Sequence, residues 1–263
     1  MALTTALVTG ASSGIGYEIS KILAAAGHDL VLVARREDRL QQLAKFLTKE
    51  FKINVRVFPA DLTQLEQIDT LYQTLDKENI PVDILVNNAG FGDSGPFTAA
   101  DAKQQAQQIQ LNVEALTYLT NLFAKDMVKR GLGKILNIAS VAGYMPGPYM
   151  AVYYATKAYV VSFSEALRIE LKGTGVSVTV ACPGITNSEF HQVAGTDRVF
   201  FFRLVPMMSS AQVARASINA MNKRKGVYIP GTFNRLSVLL GHFTPNWFLL
   251  RILKLIMKPR GQR

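Results

Sequence analysis

Cysteine is almost missing from this chain. Cys182 stands alone, so no internal disulfide can form and a fold held together by covalent cross-links is excluded. Histidine is nearly as scarce: His28, His191 and His242 lie far apart, with neither an HxxxH spacing nor a cysteine partner, and that scatter predicts no metal site. No uninterrupted apolar run reaches the roughly twenty residues that a membrane-spanning helix needs. The chain enters an apolar run almost at once, without the basic leader and small-residue cleavage site of a signal peptide, which predicts a cytoplasmic protein. The last absence is acidic. From Arg198 to Arg263 there are 12 Lys and Arg and no Asp or Glu, a net +12, whereas the preceding residues carry 17 Lys and Arg against 19 Asp and Glu, a net −2. All of the excess charge sits in the last quarter, which points to an anionic surface, lipid or nucleic acid, or to a solvated edge.

What is present is apolar and periodic. Hydrophobic residues make up 49% of the 263, enough to bury one large core. Strand-like runs at 5–9, 29–34, 55–58, 84–86, 134–138, 176–181 and 227–229 alternate with helical segments at 17–26, 40–51, 65–78, 102–130, 151–171 and 211–222. Seven strands alternating with helices predict an α/β fold: one Rossmann-type domain over 1–230, a doubly wound, largely parallel sheet with helices on both faces, followed by a C-terminal helical extension over 231–263. No repeat, linker or low-complexity tract marks a second domain. In such a sheet the ligand crevice lies at the carboxyl ends of the strands, where Gly10, Arg35, Asp61, Asn87, Ser140, Pro183 and Gly184 all fall.

Three stretches carry chemistry. The first strand runs into TGASSGIG at 9–16 and then a helix, the order in which backbone N–H groups and a helix N-terminus cradle a phosphate. The glycines Gly10, Gly14 and Gly16 are spaced GxxxGxG rather than GxGxxG, and a turn made only for packing is the alternative. The second strand ends in Arg35 and Arg36, where a carboxylate would receive the ribose hydroxyls of NAD; guanidinium forks suit the 2′-phosphate of NADP instead. A solvated helix start is the other reading, and Glu37 and Asp38 would already serve that purpose. Third, YYATK at 153–157 puts Tyr153 and Lys157 one helical turn apart, so phenol and ammonium face one ligand. A neighbouring cation favours the phenolate, and the expectation is that Lys157 lowers the Tyr153 pKa enough for general acid–base work.

TGASSGIG, ADLT at 60–63, NNAG at 87–90, Asn112, Ser140 thirteen residues before Tyr153, YYATK and PG at 183–184 occur in one order, and together they resemble the short-chain dehydrogenase/reductase family from about residue 3 to 228. The resemblance implies an oxidoreductase in which Tyr153 protonates a carbonyl oxygen as hydride arrives, Lys157 holds the nicotinamide ribose and tunes Tyr153, Ser140 donates a hydrogen bond to the substrate oxygen, and Asn112 holds a water leading from Lys157 to solvent. It further implies Ser12, Ser13 and Ile15 near the phosphates, Asp61 and Leu62 at the adenine, Asn87, Ala89 and Gly90 along the adenosine ribose, and Pro183, Gly184, Ile185 and Ser188 at the nicotinamide. Ser188 stands where many members carry threonine. NADP(H) is expected in preference to NAD(H), in a homodimer or homotetramer. Alcohol oxidation and a non-catalytic NADPH-binding sensor or scaffold at a membrane are the other functions left open.

The substrate should meet 91–97, 141–150 and 190–208. The last includes VFFFRLVPMM at 199–208, a lid over a lipophilic carbonyl substrate or a subunit contact. Beyond it, 236–243 is apolar, Pro245 breaks the pattern, and WFLLRILKLIMK sets Arg251, Lys254 and Lys258 on one stripe opposite an apolar face. Residues 231–263 therefore fit a peripheral membrane contact, a partner subunit or a cover for the substrate pocket. No nucleic acid is expected, because the tail lacks the polar and aromatic interleaving of a base-stacking surface.

Overall fold

A computed structural model describes residues 4–196 and 205–258. Strands β1 (Thr5–Thr9), β2 (Asp29–Ala34), β3 (Val55–Pro59), β4 (Val82–Asn87), β5 (Gly133–Ile138), β6 (Val176–Ala181) and β9 (Val227–Tyr228) form one parallel sheet in the order β3-β2-β1-β4-β5-β6-β9. Between them run α1 (Gly14–Ala25), α2 (Glu37–Phe51), α3 (Leu65–Lys77), α4 (Ala102–Ile109), α5 (Leu116–Arg130), α6 (Ala151–Glu170) and α8 (Ser210–Asn222). The two-residue strands β7 (Thr186–Asn187) and β8 (Met208–Ser209) pair apart from the main sheet, with the single-turn α7 (Phe190–Val193) in the loop between them.

The strands read as apolar runs because both faces are covered. Alternate residues point to opposite sides. Ala6, Val8, Leu30, Leu32 and Val86 pack with Ile19 and Leu23 of α1 and with Leu40, Leu43 and Leu47 of α2. Leu7, Val31, Val33 and Leu85 face the other way, onto Ile68 and Leu71 of α3 and Leu119, Phe123 and Met127 of α5. Each such leucine, fully buried, stabilises the fold by about 1.5–3 kcal/mol. Strand order reverses between β1 and β4, so the crevice opens where Gly10 and the residues after Asn87 leave the sheet.

Two elements differ from expectation. Helix α1 begins at Gly14, not three residues later, because the glycine turn itself winds into the first helical turn. The segment expected as one helix over 102–130 is split by a π-helical turn, Gln110–Ala115, which holds Asn112. Such insertions are rare and gather at functional sites. The tail forms α9 (Thr232–Phe243) and α10 (Asn246–Ile256), parted at Pro245 as expected. Most of the expected lid tract, 199–204, lies outside the described residues.

Candidate active site

The glycine turn is built by close approach. Gly10 has φ +66, a conformation that side chains disfavour, and a Cβ there would lie 2.7 Å from Asn88 Nδ2. A Cβ on Gly16 would lie 2.5 Å from the Gly10 carbonyl oxygen. Asn88 ties this turn to β4: its Nδ2 donates to the carbonyls of Thr9 at 2.9 Å and Gly10 at 3.3 Å, and its N–H donates to Thr9 Oγ1 at 2.9 Å. Ser13, extended at the start of α1, makes no side-chain cap, so the first-turn N–H groups remain available to a phosphate. Ile15 packs against the core beneath.

The arginines divide. Arg35 is exposed, while Arg36 lies over the turn, with Nη2 donating to Ser12 Oγ at 3.0 Å and Ser13 Oγ at 2.8 Å. Its Nη1 pairs with Glu189 at 2.8 Å, and Arg39 pairs with the same carboxylate. A guanidinium and two hydroxyls at the end of β2, beside an uncapped helix start, fit the phosphates and the 2′-phosphate of NADP(H). Ser188 reaches the same place from the far side, its Cβ 3.5 Å from where a Gly14 Cβ would stand.

Asn87, expected along the adenosine ribose, has its side chain buried inside, donating to Thr120 Oγ1 on α5 and Asn137 Oδ1 on β5, both at 2.9 Å. Its neighbour Asn88, which the sequence reading passed over, faces the turn. Asp61 accepts from the N–H and hydroxyl of Thr63, folding the loop after β3, and Leu62 is buried in the core. The N–H of Ala89 donates to Thr9 Oγ1 at 3.0 Å. Gly90 lies between Asn112 and Lys157: a Cβ on it would be 2.9 Å from Asn112 Oδ1 and 3.6 Å from Lys157 Nζ.

Asn112 is bonded through both ends of its amide. Oδ1 accepts from Phe91 N at 3.1 Å, and Nδ2 donates to Phe91 O at 2.9 Å and Thr156 Oγ1 at 3.1 Å. Ser140, after β5, accepts from Ala142 N at 3.1 Å and donates to Pro183 O at 3.3 Å, linking the ends of β5 and β6. Tyr153 and Lys157 rise from α6, and the Lys157 ammonium lies 5.8 Å from the centre of the Tyr153 ring while donating to Ile138 O at 2.9 Å. The expected electrostatics need correcting here. Burial pushes the Tyr153 phenol well above its ordinary value, and a hydrogen bond with Ser140 pulls the other way. Burial also acts on Lys157, bringing it down to about 8. Proximity gave the pair, and enclosure raised the cost of either charge.

Around this group the walls are apolar. Met150, Ala194, Leu253 and Met257 form a buried cluster against which Met145, Tyr149, Tyr153, Tyr154 and Phe190 pack. The tail thus covers the site with one face of α10, and Tyr154 Oη meets Met257 Sδ at 3.7 Å. Gly184 packs on Asn234 of α9, a contact no local sequence pattern announced, and Ile185 O accepts from Met208 N at 3.1 Å.

Known proteins agree with this geometry. Residues 4–198 match the short chain dehydrogenase family. The ketoacyl reductase HetN of Nostoc sp. is 32% identical over 92% of this chain and 85% of its own length. A very-long-chain 3-oxoacyl-CoA reductase of Pyrenophora tritici-repentis is 32% identical over 95% and 72% of the respective chains. Among solved structures, a short-chain dehydrogenase from Sphingobium yanoikuyae in complex with NADPH superposes with a TM-score of 0.82 at 36% identity, covering 95% of this chain and 96% of that one. With its motifs in order on a seven-stranded parallel sheet, this chain belongs to the short-chain dehydrogenase family of oxidoreductases.

Proposed function

We propose that the protein reduces a lipophilic ketone or aldehyde to the alcohol with NADPH, using residues 1–230 as the catalytic domain and 231–263 as an extension whose helix α10 covers its mouth. One observation carries this reading: Ser140, Tyr153 and Lys157 converge beside Gly90 under walls of Met145, Met150, Phe190, Leu253 and Met257. The nicotinamide supplies hydride. Ser140 holds the carbonyl oxygen, Tyr153 hands that oxygen a proton, and Lys157 holds the ribose while its charge favours the phenolate left behind. Asn112 fixes Phe91 and Thr156, and its π-helical turn would seat the water that leads from Lys157 outward. A ketoacyl reductase and a long-chain 3-oxoacyl-CoA reductase among the relatives favour a fatty carbonyl as the substrate class.

The test is consumption of NADPH and of NADH with a panel of short and long-chain carbonyls. Wild type should favour NADPH and the longer substrates. In Arg36→Ala, NADPH binding should weaken about tenfold to a hundredfold through loss of a charged hydrogen bond, with NADH unchanged. An unaltered preference removes the arginine reading.

The outer face of the tail supports a second function. Among the described residues no helix is long and apolar enough to cross a membrane. Phe233, Leu236, Leu239, Leu240, Trp247 and Phe248 are nevertheless exposed, with Phe243 at 76% and Leu255 at 79%, in a segment whose charges are all positive. This face suits peripheral contact with anionic lipid, through which a lipophilic substrate would arrive. Because Leu253 and Met257 are buried at the site, truncation would damage catalysis, so the test is Phe243→Ser with Leu255→Ser. Partitioning onto phosphatidylserine vesicles should fall about tenfold or more at unchanged turnover of a soluble substrate. Equal partitioning ends the membrane reading.

A further inference from the structure

The guanidinium groups at the adenosine end of the crevice already hold an anion. Arg36 directs Nη1 to Glu189 Oε2 at 2.8 Å, while its Nε and Nη2 rest on the Ser12 and Ser13 hydroxyls. Arg39, in the first turn of α2, takes the other carboxylate oxygen, Oε1. Each oxygen therefore has its own arginine, and the pair draws the Glu189 pKa down to about 2, so the group is ionised throughout the neutral range. Glu189 comes from across the crevice, 150 residues after Arg39, in the loop between β7 and α7. The next residue, Phe190, lays its ring 5.2 Å from that of Tyr153. One short segment thus touches both ends of the site.

A ribose 2′-phosphate and a carboxylate ask for the same donors, planar guanidinium forks and hydroxyls. Building on the NADP(H) reading above, we propose that Glu189 determines cofactor discrimination as a competing anion seated where the 2′-phosphate goes: NADPH displaces it from Arg36 and Arg39, whereas NADH, which has no such phosphate, leaves it in place. Arg39, absent from the sequence reading, becomes the second phosphate ligand. Displacement frees the segment that presses Phe190 on Tyr153, so arrival of the phosphorylated cofactor and loosening of the substrate-side wall are one event. The ion pairs are almost half exposed and individually weak, so a dianionic phosphate can outcompete them.

Equilibrium titration of the full chain with each cofactor tests this. Glu189→Gln keeps the shape and removes the charge; its Kd for NADPH should tighten about three- to tenfold, because the fraction of competent sites rises, while its Kd for NADH stays within about twofold. Arg39→Ala should weaken NADPH alone. An unchanged or weaker NADPH affinity in Glu189→Gln overturns the proposal, and so does an equal shift for both cofactors, which would mark a merely structural role. Failure of Arg36→Ala to alter cofactor preference sinks the NADP(H) reading and this inference with it. If Arg36→Ala behaves as expected and Glu189→Gln does not, only the role of Glu189 falls.

Discussion

Tyr153→Phe should lower kcat by about a thousandfold while NADPH binds within about twofold of wild type. The variant keeps the ring, which packs 5.2 Å from Phe190 and 6.1 Å from Tyr154, and removes only the hydroxyl. A protonless site must leave the reduced oxygen as an alkoxide or take a proton from water, and a positioned acid contributes about 10²–10⁴ over that route. None of the neighbouring phenols replaces it. Tyr144 bonds Cys182 and Tyr154 bonds Met257, whereas Tyr153 is the phenol partnered with Ser140. Single-turnover oxidation of NADPH by a long-chain ketone separates binding from chemistry, and a normal rate in the variant would remove Tyr153 from the mechanism.

Lys157→Met should lower kcat by about a hundredfold or more and, unlike Tyr153→Phe, also weaken NADPH, because it removes both the charge beside the phenol and the donor intended for the ribose. It should also change how stability depends on pH. Lys157 is only 6% exposed, and burial brings its pKa from 10.5 down to about 8. Below about 8 the ammonium is charged in folded and unfolded chains alike, and the folded protein bears the full cost of enclosing it. Between about 8 and 10.5 the folded protein releases the proton while the unfolded chain keeps it, so stability rises with pH. Denaturant unfolding should therefore show the wild type gaining on Lys157→Met across that window; parallel pH profiles would contradict the buried charge.

The sheet and the glycine turn were legible because their causes are local. Strands buried on both faces make unbroken apolar runs, and a turn that brings Gly10 against Asn88 tolerates no side chain. Alternation along β4 could also have placed Asn87, which shares the α5-facing side with Leu85, inside the fold. The π-helical turn at Asn112 was not legible, since one inserted residue leaves the amphipathic spacing on either side intact. Two further features depend on tertiary assembly. The salt bridge from Arg39 to Glu189 exists because the loop after β6 folds back to the switch point, and the solvation of Lys157 depends on what covers it, which a spacing of four residues does not encode. The tail pattern foretold a helix but not that Leu253 and Met257, one turn apart, would be its buried face.

Titration of the Tyr153 phenol in protein saturated with NADP+, read as the spectral difference between wild type and Tyr153→Phe, tests the proton donor most directly. Burial, with a smaller contribution from Tyr154, holds this phenol above its ordinary value of 10.0. The positive nicotinamide ring and Lys157 together should bring it below that value, with the drop lost in Lys157→Met. A phenol that stays above its ordinary value in a cofactor-loaded, active enzyme would contradict the assignment of Tyr153 as the acid.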